Sequence, residues 1–363
     1  MTGDTRQTEW TFEELLASEP IEEPLVAGGV QCHGGFGADG AYVSPRTRNR
    51  WTAIRAWQAQ HAQQFGTELL DIPLDRWPEA YPNVAQARFL LEHGVRDPLI
   101  ATLTRIGTVE GFGSMLRYSL IPDFQACFAE EVDGTAITHL DRGLFEAHAR
   151  DEAGYGDEGG HKQMWFAARD VAFEHPVTED QTEAMLRRMG IVDGSGKRGP
   201  FIPDPIFPDV DSDLELLITR MANLLLIEIS AHHVFAWAEQ VLADVELVAS
   251  DGEAARLVSY IRADEAPHVA YLATVLSEMR DRTFVATSGR TIPGTTVIGA
   301  LWDRAVAESL GPRREQNLHL TLREVERALA QRPDGADLLE EFHARGSIRP
   351  GTEGRWEPVA VGY

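Results

Sequence analysis

The chain carries one short pattern twice, and this repeat restricts the fold more than any other feature. Residues 157–161 read Asp-Glu-Gly-Gly-His and residues 264–268 read Asp-Glu-Ala-Pro-His, so both follow the form Asp-Glu-x-x-His. Residues three apart lie on one face of an α-helix, so the glutamate and the histidine of each pattern can bind one metal ion together. One such pair often arises by chance, whereas two pairs on two helices indicate a shared metal centre.

Helical periodicity extends around both motifs. We predict long helices over residues 97–131, 135–174, 212–244 and 252–281, with shorter helices up to about residue 345. Another helix is predicted over residues 46–65. Residues 193–211 are rich in glycine and proline and predict a long crossover. Four long helices with one long crossover are typical of the ferritin-like topology.

The sequence therefore predicts an all-α protein, a ferritin-like four-helix bundle with an N-terminal arm and extra C-terminal helices. Residues 1–82 are the arm with its one helix, and residues 83–345 are the helical domain, whose metal-binding core covers about 97–281. Residues 346–363 are a C-terminal tail. The first 46 residues show no long period and are predicted to be irregular, and little of the chain has the alternation typical of strands.

A di-metal bundle of this kind needs one further glutamate from each of the two other helices. Glu228 stands on an apolar face of the third predicted helix, where an unpaired carboxylate is costly unless it binds a metal. Glu110 stands on an apolar face of the first. In an antiparallel helix pair, residues at one level are equidistant from the turn. The point midway between positions 110 and 158 falls on the Asp-Gly turn signal at 133–134, and the second hairpin is also consistent. The predicted ligands are Glu110, Glu158, His161, Glu228, Glu265 and His268.

Other residues are weaker candidates for ligands. His232 follows Glu228 by one helical turn, and packing is its favoured role. Glu146 and His148 are only two apart and point to different faces, so at most one of them can join the site. Each predicted ligand also has an interpretation without metal, as a hydrogen-bonded core histidine, a solvated glutamate or, for Glu110, the partner of a nearby arginine.

Small residues beside the first-helix glutamate suggest where a substrate could approach. Gly111, Gly113 and Ser114 add little bulk there, although close helix packing explains them equally well. Trp165 lies four residues after the histidine of the first motif. It is a candidate for the substrate pocket or for electron transfer, with core packing as the favoured interpretation.

The complete set resembles the ferritin-like di-iron carboxylate superfamily. The Asp-Glu-x-x-His form resembles that of bacterial di-iron oxygenases and ribonucleotide-reductase small subunits, over about residues 95–281. The resemblance implies two iron ions, with manganese as an alternative, and activation of dioxygen. It also implies that Asp157 and Asp264 are not ligands but hold the free ring N–H of a ligand histidine, which fixes its tautomer. Gly160 and Pro267 stand where such oxygenases often have arginine.

The leading hypothesis is a non-haem di-iron oxygenase that hydroxylates or N-oxygenates a small organic substrate, with dioxygen as co-substrate and an external electron donor. An iron-handling or peroxide-removing protein is the first alternative, and the arm and the long crossover argue against it. A radical-generating subunit is the second, and neither motif histidine is followed by tyrosine after four residues. A metal-free helical binding protein is the third.

Composition narrows the partners. The 363 residues carry a net charge of −24, which repels phosphate backbones and argues against nucleic acid. No stretch of about 18 uncharged apolar residues predicts a membrane span. The polar N-terminus does not resemble a signal peptide, which favours the cytoplasm. Cys32 and Cys127 predict neither a disulfide framework nor a cysteine zinc site. A homodimer is compatible with these features.

Overall fold

The protein is mainly helical. The computed structural model describes residues 7–72, 74–174, 177–189, 204–351 and 355–359. Helix accounts for 62% and strand for 9%, which confirms the predicted predominance of helices. Residues 193–203 of the predicted crossover lie outside the described residues, as do 352–354 and 360–363 of the predicted tail. In the described ranges, no helix combines the length and the apolar character that crossing a membrane requires.

The helices and strands follow each other along the chain with short connections. The helices are α1 (Phe12–Leu15), α2 (Arg50–Phe65), α3 (Val84–Glu92), α4 (Asp97–Gly113), α5 (Phe124–Cys127), α6 (Phe145–Ala153), α7 (His161–Phe173), α8 (Glu179–Met189), α9 (Ser212–Leu242), α10 (Glu253–Arg280), α11 (Gly294–Glu308), α12 (Arg314–Leu329) and α13 (Gly335–Ala344). The strands are β1 (Glu23–Ala27), β2 (Val30–Phe36), β3 (Tyr42–Val43), β4 (Thr283–Val285), β5 (Thr291–Pro293), β6 (Ile348–Pro350) and β7 (Trp356–Pro358).

The longest helices pack around a common interior. α9 pairs extensively with α10, α4 packs on α6 and α7, and α7 also packs on α10. Two apolar clusters fill this interior. On α9 the first cluster ends at Ile229 and the second begins at Ala231, while on α10 the second ends at Ile261 and the first resumes at Tyr271. Residues between these positions on both helices therefore lie at the junction of two apolar clusters, at one level of the bundle.

The first two predicted long helices are interrupted. The helix predicted over 97–131 ends as α4 at Gly113, and a 3-10 turn, an irregular stretch and the short α5 follow. Pro122 explains the break, because proline lacks a backbone N–H and disfavours helix at the preceding residue. The helix predicted over 135–174 divides into α6 and α7. These interruptions set the positions of several candidate site residues.

The N-terminal arm is more ordered than predicted. Strands β1, β2 and β3 form an antiparallel sheet, with Gly28 and Gly29 at the β1–β2 turn in the left-handed region at φ 56° and 78°. Four consecutive residues of β2 are buried, so the strand lacks the alternation by which strands are recognised. The prediction of an irregular arm was therefore wrong over residues 23–43. The tail likewise contains a β6–β7 pair.

Trp165 packs in the apolar core. Its side chain is fully buried, and its ring centroid lies 4.9 Å from that of Phe235 on α9. A Cβ added to Gly107 on α4 would lie 2.7 Å from the Trp165 Cβ, so the two helices approach closely here. This environment favours packing over a role in a substrate pocket.

We predict that Trp165→Ala lowers the free energy of unfolding by about 3–5 kcal/mol, because it removes a large buried side chain and leaves a cavity. Tyr118→Ala is the control, since this side chain is 70% exposed, and its effect should stay within about 0.5 kcal/mol. Chemical denaturation of both variants measures the difference. Equal, small effects in the two variants would contradict the placement of Trp165 in the core.

Candidate metal centre

A cluster of buried acidic and imidazole side chains lies inside the bundle. Each member is at most 6% exposed. The members come from α4, α6, α7, α9 and α10, and they are Glu110, His148, Glu152, His161, Glu228, Glu265 and His268. Buried groups of this kind can hold metal ions.

The cluster consists of two overlapping groups whose potential ligand atoms lie within 4.8 Å of one another. The first group is Glu110, Glu152, His161 and Glu265. The second group is His148, Glu152, Glu228 and His268. Because Glu152 belongs to both, the two groups adjoin, and they can hold two ions side by side.

Two carboxylates lie between the histidines of the two groups. Glu265 places Oε1 2.8 Å from His161 Nδ1 and Oε2 2.6 Å from His268 Nδ1. Glu152 Oε1 lies 3.3 Å and 3.4 Å from the same two nitrogens. Both carboxylates therefore face two imidazole donors at once, which is the position of a carboxylate that bridges two metal ions.

The remaining donors divide between the two sides. Glu110 Oε2 lies 3.8 Å from His161 Nδ1. On the other side, Glu228 Oε1 lies 3.4 Å from His148 Nε2, and the rings of His148 and His268 stack at 3.9 Å. One side thus has one histidine, whereas the other has two, so the two positions differ chemically.

The polar atoms at this site fit metal ions. Both carboxylate oxygens of Glu152, Oε2 of Glu110, Oε1 of Glu265 and the inward nitrogens of His148 and His161 are buried, with no hydrogen-bond partner among the described residues. An unpaired buried polar group costs about 1–3 kcal/mol, and more if it is charged. Ligation by metal would satisfy these atoms together.

The charges of the site also fit two divalent cations. Over the part of the chain that the structure describes, no lysine or arginine lies within 4.0 Å of the four buried glutamates. Burial, followed by repulsion from neighbouring glutamates, raises the pKa of Glu110 and of Glu228 well above the usual range. Burial also opposes ionisation of Glu265, but His161 and His268 hold its pKa well below the usual range. Two divalent ions would neutralise four carboxylates.

The first motif is not helical, and this corrects its assignment. Residues 154–160 form a tight loop between α6 and α7, in which Tyr155 and Glu158 exchange backbone hydrogen bonds. Gly154 has φ +82°, and a Cβ on Gly160 would lie 2.3 Å from the backbone N of Gly154. Asp157 and Glu158 stand exposed at the loop tip, outside both groups. The assignments of Glu158 as ligand and of Asp157 as its supporting residue were therefore wrong.

Glu152 supplies the carboxylate that was expected from Glu158. It lies near the end of α6, with His148 one turn earlier on the same face, and the loop brings His161 back to the same site at the start of α7. Asp151-Glu152 repeats the Asp-Glu pair of the second motif. That pair could have identified the ligand if the four glycines after it had been interpreted as a loop.

The other candidate residues have clear positions. Glu146 pairs with Arg150 at 2.8 Å and His232 is exposed, so neither belongs to a ligand group. A Cβ on Gly113 would lie 2.7 Å from Glu152 Cγ and 3.3 Å from His148 Nε2. Gly111 instead faces the side chain of a lysine on α7, and Ser114 Oγ donates to the Gly111 carbonyl. Of the three small residues, Gly113 is the one that adjoins the cluster.

Two buried aspartates contact the histidines from behind, and they do so crosswise. Asp264, beside Glu265 on α10, has Oδ2 3.6 Å from His161 Nε2, the nitrogen that points away from the cluster. Asp151, beside Glu152 on α6, accepts a hydrogen bond from His268 Nε2 at 2.9 Å. Each aspartate therefore orients the histidine of the other segment. Asp264 lies where the sequence predicted an orienting residue, and Asp151 takes the place assigned to Asp157.

The N-terminal arm supplies the partners of both aspartates. Tyr42 donates its hydroxyl hydrogen to Asp264 at 2.8 Å, and His33 Nε2 lies 3.4 Å from the same oxygen. Arg46 and Arg50 donate to Asp151 at 2.6 Å and 2.7 Å. Neither local periodicity nor motif spacing relates these residues to the bundle, because the contacts connect positions more than 100 residues apart.

We predict that Glu152→Gln reduces bound metal from about two ions per chain to one or fewer, because an amide is a poor bridge between cations. Glu158→Gln, on the exposed loop tip, should leave the content unchanged. Metal analysis after anaerobic loading with ferrous iron and desalting compares the two. Loss of metal in the Glu158 variant alone would restore the helical interpretation of the first motif.

We also predict that Gly113→Ala weakens metal binding, because the added methyl group must displace Glu152 or His148. Gly299→Ala on α11 is the matched control, since a Cβ there meets nothing within 4 Å. Titration with ferrous iron should show lower affinity in the first variant and wild-type affinity in the second. Equal affinities would mean that the close approach at Gly113 does not shape the site.

Comparison with known proteins was negative at every level. No family model matches the chain, and neither a curated protein nor a solved structure shows significant similarity to it. The assignment of ligands therefore rests on the distances, burial and charges of this chain.

Proposed function

We propose that the protein binds two metal ions that share Glu152 and Glu265, and that it is a ferritin-like di-iron carboxylate oxygenase acting on a small organic substrate. The observation that carries the proposal is the position of Glu265, whose two oxygens each contact a different histidine within 2.8 Å. In the di-metal bundles, facing helices supply such glutamates and histidines to two ions.

The donor set supports iron. Three imidazoles and four carboxylates offer nitrogen and oxygen atoms, and neither Cys32 nor Cys127 belongs to a ligand group. Such a mixture suits iron, with manganese as the alternative, better than metals that prefer sulfur. When bound, a pair of ferrous ions supplies the electrons with which dioxygen is reduced.

The protein residues would hold, orient and enclose. Glu110 and His161 would bind one ion, and His148, Glu228 and His268 the other. Asp151 and Asp264 would each keep a proton on the outer nitrogen of a histidine, leaving Nδ1 free to bind metal. Burial of the whole set excludes bulk water, which protects reactive oxygen chemistry from side reactions.

The surface near Gly113 supports an organic substrate. Gly113 is partly exposed although its α-carbon faces Glu152, so only its backbone separates the ligand from the surface here. The neighbouring Phe112 and Met115 are 44% and 60% exposed. An apolar molecule approaching over this face would reach the His148 side of the metal centre.

The test is transfer of labelled oxygen. Protein loaded with two ferrous ions per chain and supplied with a chemical reductant is exposed to ¹⁸O₂ with a panel of small aromatic and aliphatic amines and acids. We predict that at least one compound accelerates dioxygen consumption and gains ¹⁸O, and that Glu152→Gln abolishes both effects. Accumulation of many ferric ions per chain would indicate an iron store, and catalytic loss of hydrogen peroxide without labelled product would indicate a peroxidase. Either result would overturn the oxygenase assignment.

A further inference from the structure

We propose that residues 30–50, here called the clasp, are a working part of the metal centre, and that His33 is the positioning residue that links its two sides. The clasp comprises β2, β3 and the start of α2. The inference rests on the metal-binding part of the proposed function and not on the oxygen chemistry.

One continuous chain of polar contacts joins the outer nitrogens of two metal-binding histidines through the clasp. It runs from His161 Nε2 to Asp264 (3.6 Å), to His33 Nε2 (3.4 Å), from His33 Nδ1 to Arg46 Nη2 (3.1 Å), from Arg46 Nε to Asp151 (2.6 Å) and from Asp151 to His268 Nε2 (2.9 Å). Each intermediate residue is at most 7% exposed. His33 and Arg46 are the two members that come from outside the bundle.

The chemistry of the chain determines the form of His33. A guanidinium group only donates hydrogen bonds, so His33 Nδ1 must accept from Arg46. The ring proton of a neutral His33 therefore lies on Nε2, which faces the Asp264 carboxylate. Because Asp264 is thereby held between His33 and His161, the orientation of His33 determines where the Asp264 carboxylate can support its ligand histidine.

The backbone of the same strand holds the loop that leads to His161. His33 N–H donates to the Gly159 carbonyl and Gly159 N–H donates to the Gln31 carbonyl, both at 2.9 Å. Gly159 lies two residues before His161. Strand β2 therefore fixes the backbone before one ligand while its side chain supports the aspartate behind that ligand.

Arg46 shows that the clasp is held against a local cost. Its φ of +53° lies in the left-handed region, which residues with a Cβ seldom adopt. Strain of this type persists where surrounding contacts fix it and is concentrated at functional sites. Here the contacts are those with Asp151 and His33. Docking of the clasp and correct placement of the ligands thus depend on the same bonds, so metal binding and docking should strengthen each other.

The first experiment measures metal affinity. The full chain is loaded anaerobically with ferrous iron and titrated with a competing chelator. We expect His33→Ala to lower affinity about 10–100-fold, the range for residues that support metal ligands, and His33→Gln, which keeps an N–H able to reach Asp264, to recover part of it. His61→Ala is the matched control, because this buried histidine contacts Asp281 at 2.8 Å on α2 away from the cluster. Its affinity should remain within about twofold of wild type.

The second experiment measures the coupling itself. Hydrogen exchange at the amides of His33 and Gly159 should slow at least tenfold on metal loading in the wild type, since ligand at about 100 times its Kd can stabilise the bound form by about 100-fold. The same protection should be lost in His33→Ala, and circular dichroism verifies that the variant is folded. If that variant does not fold, His33→Gln carries the test.

The outcomes separate this inference from the proposed function. Wild-type protein that binds no metal would overturn both. Wild-type protein that binds two ions, with unchanged affinity in the His33 variants or with equal exchange of the clasp in apo and loaded protein, would overturn the clasp alone. Failure of oxygen transfer with intact metal binding would leave the clasp standing.

Discussion

The structure depends on burying four glutamates next to three histidines inside a helical bundle. An isolated buried carboxylate is very costly, and here Glu110, Glu152, Glu228 and Glu265 lie together without a lysine or arginine contact in the described ranges. Two shared divalent ions would turn this cost into a stabilising contribution. The need to bring these side chains to one level explains why α9 and α10 change from one apolar cluster to the other around it.

The surroundings of the cluster are organised as carefully as its ligands. The crosswise aspartates make α6, α7 and α10 depend on one another, because Asp151 supports a histidine of α10 while Asp264 supports one of α7. The N-terminal arm then closes both contacts with side chains from β2, β3 and the segment before α2. An arm that looked like an irregular cover in sequence is thereby a structural participant in the site.

Sequence reasoning succeeded where local helical geometry decides the outcome. Residues 264–268 are helical throughout, and Glu228 and Glu110 lie in continuous helices, so spacing placed these side chains in the cluster. It failed at Glu158, where four glycines within seven residues favour a loop and make the i, i+3 relation meaningless. It also missed His33 and Arg46, because strand pairing and long-range ion pairs leave no periodic trace in one sequence.

Anomalous X-ray diffraction from crystals of the iron-loaded protein, recorded at the iron absorption edge, tests the central claim most directly. The account predicts two peaks about 3.5–4 Å apart, the separation typical of two-metal sites. Each peak should have both Glu152 and Glu265 among its ligands, with His161 bound to one ion and His268 to the other. A single peak, or metal bound by Glu158 at the loop tip instead of Glu152, would contradict the account.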